Sequence, residues 1–396
     1  MSRFLRIGIP GALLVVSLLG TKASAAGGGY VEKDLVVNQK VGNVPQLTDA
    51  NGIVHTADFF DANLVNPWGI SESSSSFLWV SDNGSHQSTL YNSAGSPQSL
   101  VVAIPAPPPG DPLAAAGAPT GTAFNITFGT ATAQFMISGF TSGGVATTQT
   151  ALFLFVTEDG TILGWNPGVN PMGTPMSTAG KHAIIAVDNS GSGAVYKGTA
   201  VATDSGGTTR LYATNFAAGK VEVYDGNFSP ASGLPDDAFV DPQLPKNYSP
   251  FNVAVISGKI FVTYALKETG GEDDVSGQGH GIVDTYDLLG NFLSRFAQHG
   301  QLDSPWGMAL APSGFGELAG MLLIGNFGNG HINAFNPVTG EFFDKLRDGH
   351  GQAIVIDGLW ALQFGNGVNG GHSGTLYFTA GPNEEADGLF GSLSSN

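Results

Sequence analysis

The sequence predicts an all-β chain: a six-bladed β-propeller of four-stranded blades, whose N-terminal strand closes the last blade. Three observations predict it. Gly 58 and Pro 22 punctuate a 396-residue chain with only 12% charged and 42% hydrophobic residues, which excludes both disorder and long helices. A weak internal repeat recurs six times. Cysteine is absent, so neither a disulfide framework nor a Cys-based zinc site organises the fold.

The elements follow in chain order. Arg3 and Arg6, the apolar run Gly11 to Leu19 and the small-residue stretch Ala23-Ser24-Ala25 have the layout of a cleavable signal over residues 1–25. The run is too short to span a bilayer and is broken by Gly8, Pro10 and Gly11. The chain is therefore expected to be exported, secreted or periplasmic, with no integral membrane segment after cleavage. Asp34-Leu35-Val36-Val37-Asn38-Gln39 stands before the first repeat with no blade of its own. It is the natural fourth strand of the sixth blade.

Residues 26–396 then form one domain of six repeats. Each has a short apolar run ending in a small or hydroxyl residue, as in Leu78-Trp79-Val80-Ser81, Leu154-Phe155-Val156-Thr157 and Leu376-Tyr377-Phe378-Thr379. In the first five a second run follows, ending in an aromatic plus Asn or Asp: Tyr91-Asn92, Trp165-Asn166, Tyr224-Asp225, Tyr286-Asp287 and Phe335-Asn336. Asn and Asp open turns by bonding their own backbone two residues on. Each repeat is preceded by an innermost strand with small residues near its start. Equating positions 68, 120, 199, 251, 306 and 360 gives spacings of 52, 79, 52, 55 and 54 residues, close to a propeller blade. The long copy contains a Gly/Ser/Thr-rich loop insertion at about 129–150. Two packed β-sandwiches of three repeats each are the alternative, but no linker stands near the midpoint.

Several short segments carry a family resemblance. Asp61-Ala62-Asn63-Leu64-Val65-Asn66-Pro67-Trp68-Gly69-Ile70, Tyr196-Lys197-Gly198, Ser304-Pro305-Trp306-Gly307, Gly325-Asn326-Phe327-Gly328 and Gly388-Leu389-Phe390-Gly391-Ser392 resemble an uncharacterised family of secreted bacterial proteins. Some of its members carry a C-terminal sorting tail, which this sequence lacks. More loosely, the fold is similar to NHL, streptogramin-lyase-like and gluconolactonase-like propellers. That resemblance implies a fold and no activity.

Chemistry is concentrated at one expected place. Asp82, Glu158, Asn215 and Asn326 end second strands, and Asn66, Asn252 and Asp303 stand near the starts of innermost strands. These ends share one face, so the seven residues would give the central channel an oxygen-rich mouth. Asn66, Asn252 and Asp303 are the expected ligand-binding residues, and Asp82, Glu158, Asn215 and Asn326 the expected metal ligands. Ca²⁺ or Mg²⁺ takes such oxygens, although Asp and Asn after a strand are also ordinary turn formers. His280 and His331 open third strands near the mouth and are the candidate general bases. Neither a nucleophile elbow nor a metalloprotease helix motif accompanies them. Glu272-Asp273-Asp274 reads as a solvated loop, and Trp68, Trp306 and Trp360 as packing between blades.

The formal charge is −17, and removing the leader's Arg3, Arg6 and Lys22 takes it to −20. So acidic a surface repels nucleic acid and favours cationic ligands. The expected function is a monomeric binding module that takes a small molecule, polysaccharide or protein at the channel mouth. The alternative is a divalent-metal-dependent, lactonase-like hydrolase or lyase at the same place.

Overall fold

Short β-branched and aromatic runs separated by Gly, Asn and Asp turns leave the backbone few options besides antiparallel strands. The computed structural model describes residues 28–396, and the expected leader lies outside them. Among the described residues the only helical elements are three single 3₁₀ turns. No helix among them is long and apolar enough to cross a membrane.

Six sheets, antiparallel except for one parallel pair in the last, follow one another along the chain. The first comprises Pro67–Ser71, Leu78–Asp82, Gln87–Tyr91 and Val102–Ala103, and the second Pro119–Phe124, Phe153–Thr157, Thr161–Trp165 and Ile184–Asp188. The third has only Tyr196–Thr203, Thr209–Asn215 and Lys220–Asp225. Tyr248–Ile256, Lys259–Leu266, Gly281–Tyr286 and Phe292–Gln298 form the fourth. Pro305–Leu310, Leu322–Asn326, Ile332–Phe335 and Phe342–Lys345 form the fifth. The sixth sheet has five strands: Leu359–Phe364, Leu376–Ala380, Leu389–Ser395, Tyr30–Val37 and Phe59–Phe60. The first strands of successive sheets lie side by side, and that of the sixth sheet returns to that of the first. The ring is closed and propeller-like.

The closing strand is longer than Asp34–Gln39, running from Tyr30 to Val37. It pairs antiparallel with Leu389–Ser395 from Tyr30↔Ser395 to Val37↔Leu389. Buried Tyr30 also ties this strand to the fifth sheet. Its hydroxyl donates to Phe315 O and accepts from Leu318 N–H, and its own N–H donates to Arg347 O.

The expected turn chemistry is present at all five aromatic–Asn/Asp pairs. Asn92, Asn166, Asp225, Asp287 and Asn336 each accept, on Oδ1, the backbone N–H two residues on. The insertion differs from a loop: Met136–Phe140 and Ala146–Thr150 pair as a hairpin. Buried Ile137 anchors it by filling the space a side chain at Gly164 would need.

One irregularity recurs in each of these six sheets. Where the innermost strand pairs with its neighbour, the register slips near the strand start in all six. Such a bulge re-aims side chains. It also corrects the repeat alignment in the third sheet, where the slip falls at Lys197 and the close-packed glycine is Gly198. The equivalent position is therefore 197 and not 199. A bulge adds a residue that no hydrophobic pattern reveals.

Candidate functional site

The six bulges project Trp68, Thr120, Lys197, Phe251, Trp306 and Trp360 from strand starts that converge on the axis. Neighbouring backbones approach closely here, which explains the small residues that follow. A Cβ on Gly307 would lie 2.5 Å from Trp360 O, and one on Gly121 2.5 Å from Thr199 N. The large side chains close this end of the channel. Trp360 is stacked between Trp68, with centroids 3.5 Å apart, and Phe327 at 4.0 Å. Trp306 meets Trp68 edge-on at 6.1 Å. The tryptophans are buried, and Trp360 has a ring on each face. They plug the channel and leave no open stacking platform. Trp306 Nε1–H donates to Lys197 O and Trp360 Nε1–H to Asn66 Oδ1, each at 3.1 Å. Trp68 Nε1 is buried with no partner.

Lys197 is the one charged member of this ring. Its Nζ lies 2.6 Å from Glu158 Oε1, 3.4 Å from Asp273 Oδ1 and 5.2 Å from the Trp68 ring centre. Burial alone would push the ammonium down, but Glu158 and Asp273 outweigh it and raise it above its ordinary value. Lys197 is thus a fixed cation, unsuited to act as a neutral nucleophile. Asn83 Nδ2 holds the other Glu158 oxygen at 2.8 Å, and Asn66 Nδ2 reaches Asn83 Oδ1 at 3.4 Å.

Over the plug lies a cavity of about 250 Å³, lined by Trp68, Trp360, Phe327, Glu158, Lys197, Asp273, Asp274, Ser276 and Glu385. Glu385 is pushed up to about 7 by burial and then by the nearby Glu158 carboxylate, against the pull of Lys197. Asp274 is likewise raised, chiefly by burial. Asn66 (φ 46°), Ser304 (φ 43°) and the consecutive Asn383, Glu384 and Glu385 (φ 60°, 55° and 67°) all sit in the left-handed region. Each costs about 1 kcal/mol or more and persists only where the surroundings impose it. Of these, Glu385 lines the cavity and Asn66 stands just behind it.

The expected mouth residues disperse. Glu158 lines the cavity and Asn66 stands one bond behind it. Asp303 accepts Gly277 N–H at 2.7 Å and so anchors the loop that carries Asp273 and Asp274. That loop bears two cavity carboxylates, beyond the solvated role its composition suggested. Asn252 lies on the other side of the plug, lining the channel and donating from Nδ2 to Trp306 O. Asp82 is fully buried beside Asp61 and Tyr91, and burial raises it well above the usual carboxylate range. Asn215 donates to Glu222 Oε1, while Asn326 donates to Gln301 O and Asn329 Oδ1. His280 Nδ1 faces Val275 O at 2.9 Å and His331 Nδ1 faces Ile354 O at 3.4 Å, and neither lines the cavity. Lys197, Asp273, Asp274, Phe327 and Glu385 were missed as site residues. Asp273 and Asp274 stood out only as an acidic loop, and Lys197 is the signal that could have been used, as a lone cation in an innermost strand.

Below the plug the channel opens to about 570 Å³, lined by the inner strands, including Gly121, Ala200, Val253, Gly307 and Ala361. Its walls are mostly small and aliphatic. Glu72 is an exception, raised to about 8 by burial.

No protein-family model matches the chain. Among solved structures it is similar to the PQQ-bound aldose sugar dehydrogenase of Streptomyces coelicolor, with 12% identity, a TM-score of 0.47, and coverage of 94% of this chain and 100% of that one. It is also similar to a streptogramin B lyase, with 9% identity, a TM-score of 0.44, and the same two coverages, 94% and 100%. Neither likeness is close enough to argue chemistry. Curated relatives are closer in sequence. Uncharacterized protein R648 of Acanthamoeba polyphaga mimivirus is 31% identical over 346 residues, 87% of this chain and 77% of that protein. Uncharacterized protein L690 of the same virus is 31% identical over 338 residues, 84% of this chain and 81% of that protein. The chain therefore belongs to the family of these uncharacterized mimivirus proteins.

Proposed function

We propose that the chain is an exported six-bladed propeller that binds a small cationic molecule, such as an amine, in the cavity over the tryptophan plug. The carrying observation is a charge imbalance in a confined space. Glu158, Asp273, Asp274 and Glu385 face a single cation, Lys197, and Lys197 is already committed to Glu158 and Asp273. Asp274 and Glu385 are left without an ionic partner. Partly buried carboxylates of this kind are stabilised by a ligand that brings positive charge and N–H donors. The acidic surface would steer such a ligand inward. The plug supplies a rigid floor, and its covered ring faces favour recognition by charge over stacking.

A Ca²⁺- or Mg²⁺-dependent hydrolase at the same mouth is the second reading, favoured by Glu385. A carboxyl titrating near 7 beside a fixed ammonium is suited to proton transfer. Against a metal in this cavity, Lys197 Nζ occupies the position beside Glu158 that a cation would take, and Asp82, Asn215 and Asn326 do not line it.

Titration calorimetry of the chelator-treated full chain at pH 8 separates the readings, using 1,4-diaminobutane, calcium and glucose at matched ionic strength. The diamine should bind saturably, and Glu385→Gln should weaken it about tenfold, the worth of one charge-assisted hydrogen bond. Saturable calcium binding that Glu385→Gln and Asp274→Asn abolish would favour the metal-dependent reading. No saturable diamine binding, or binding unchanged in both variants, overturns the proposal.

A further inference from the structure

We propose a second site, distant in chemistry from the mouth: a divalent transition-metal centre held by Glu32, Asp34 and His55, with Asp49 as the carboxylate that orients the histidine. Glu32 and Asp34 are alternate residues of the closing strand and share one of its faces. His55 is the middle residue of the strand Val54–Thr56, which pairs with Val44–Thr48 in a small sheet beside the closing strand. One ligand atom from each of Glu32, Asp34 and His55 lies within 4.8 Å of the other two. Asp34 Oδ1 is 3.2 Å from His55 Nδ1. Ligand atoms bound at about 2.1 Å to one tetrahedral ion stand about 3.4 Å apart, so small side-chain rotations bring the three together on an ion.

The second, independent observation lies on the other edge of the imidazole. His55 is 3% exposed and Asp49 5%, yet His55 Nε2 and Asp49 Oδ2 are both buried without a hydrogen-bond partner. They face each other at 3.6 Å, just beyond hydrogen-bond reach. Asp49 is held from behind, its Oδ1 accepting Ile53 N–H at 2.7 Å. A histidine that gives Nδ1 to a metal must keep its proton on Nε2, and it normally hands that proton to a carboxylate. Asp49 is set in that place. Three carboxylates around one largely buried imidazole also leave negative charge that a dication would neutralise. A nitrogen ligand among carboxylates suits Zn²⁺, Mn²⁺ or Co²⁺ better than Ca²⁺, which takes oxygen alone. Bound there, the ion would fasten the closing strand to the small sheet.

The test uses Co²⁺, whose visible absorption reports its ligands, titrated into the chelator-stripped full chain. One equivalent should bind with an absorption band, and Zn²⁺ should displace it. His55→Gln should abolish the band. Glu32→Gln, at a partly buried position, should weaken binding at least tenfold while far-UV circular dichroism stays unchanged. Glu158→Gln, at the mouth, should bind Co²⁺ like the parent, which separates this site from the one above the plug. Failure to take up one equivalent of either Co²⁺ or Zn²⁺ overturns the proposal. So does a band that survives both Glu32→Gln and His55→Gln undiminished.

Discussion

The two ends of the central channel are made by the same six strands and differ sharply in chemistry. At the bulged ends Trp68, Trp306, Trp360 and Phe251 crowd together, and Lys197 alone brings a charge into the ring and gathers carboxylates above it. Beyond the plug the same strands show small and aliphatic side chains around an open channel. A repeated strand thus carries its structural instructions in what the six copies share, and its functional ones where a single copy departs. Lys197 is that departure in the ring, and Asp273, Asp274 and Glu385 are loop residues with no counterpart in the other repeats.

Both ends depend on the ring staying closed, so the largest expected effect erases the comparison altogether. Deleting residues 30–40 removes the strand that pairs with Leu389–Ser395 and exposes two sheet edges. Cooperative thermal unfolding, followed by circular dichroism, should be lost. A deletion variant melting like the parent would show that the closing strand is dispensable.

Next in size is Gly307→Val. Its side chain would begin 2.5 Å from Trp360 O and meet Leu362, beneath the plug. Overpacking of this kind should cost about 3 kcal/mol. Gly143→Val, in the hairpin turn with nothing nearer than Thr141 Oγ1 at 3.8 Å, should change stability by less than about 0.5 kcal/mol. Equal urea midpoints for the two variants would refute the close approach.

Lys197→Met tests the mouth itself. It keeps the stem's packing against Trp68 but leaves Glu158 without its cation. Glu158 retains some solvent contact, so the loss should be about 1–3 kcal/mol, below that of a fully buried pair. The plug should survive, seen as unchanged near-UV circular dichroism of the tryptophans. A variant as stable as the parent would mean that the ion pair contributes only specificity.

The smallest effect is one of pH. Glu385 holds its proton up to about 7 in the folded chain, against an ordinary value of 4.5. The native state therefore binds the proton more tightly than the unfolded one, and the contribution of Glu385 to stability should fall as pH climbs from about 4.5 to about 7 and then level off. Diamine affinity should move the other way, rising through pH 7 as the carboxylate forms. Glu385→Gln should flatten the affinity slope and remove one group's share of the stability slope, to which Glu72, raised to about 8, also contributes; an affinity slope that persists in it would assign the titration to another group.

What the sequence by itself determined is the local and repeated part. The Asn and Asp turns were legible because each hydrogen bond closes within two residues, as at Asn92 and Asp287. The strands were legible from short apolar runs, and the closing strand because it had no partner of its own in the sequence. The same repeat brings Glu158 into the lining of the cavity and Asn66 just behind it. Only the tertiary structure decided the rest. In the third repeat Gly198, Thr199 and Ala200 stand in a row with no Pro-Trp-Gly marker, so that repeat was aligned two positions late and the central cation was hidden. Asp82, Asn215 and Asn326 hold equivalent places in the repeat, yet none lines the cavity: Asp82 is fully buried, Asn215 turns to Glu222, and Asn326 to Gln301 and Asn329. Asp273, Asp274 and Glu385 reach the cavity from loops, and Glu32, Asp34 and His55 meet because the closing strand returns beside a small sheet. Strand patterns record which face a residue occupies, whereas a site depends on how loops and bulges from distant repeats converge in space, and that is settled only when the ring closes.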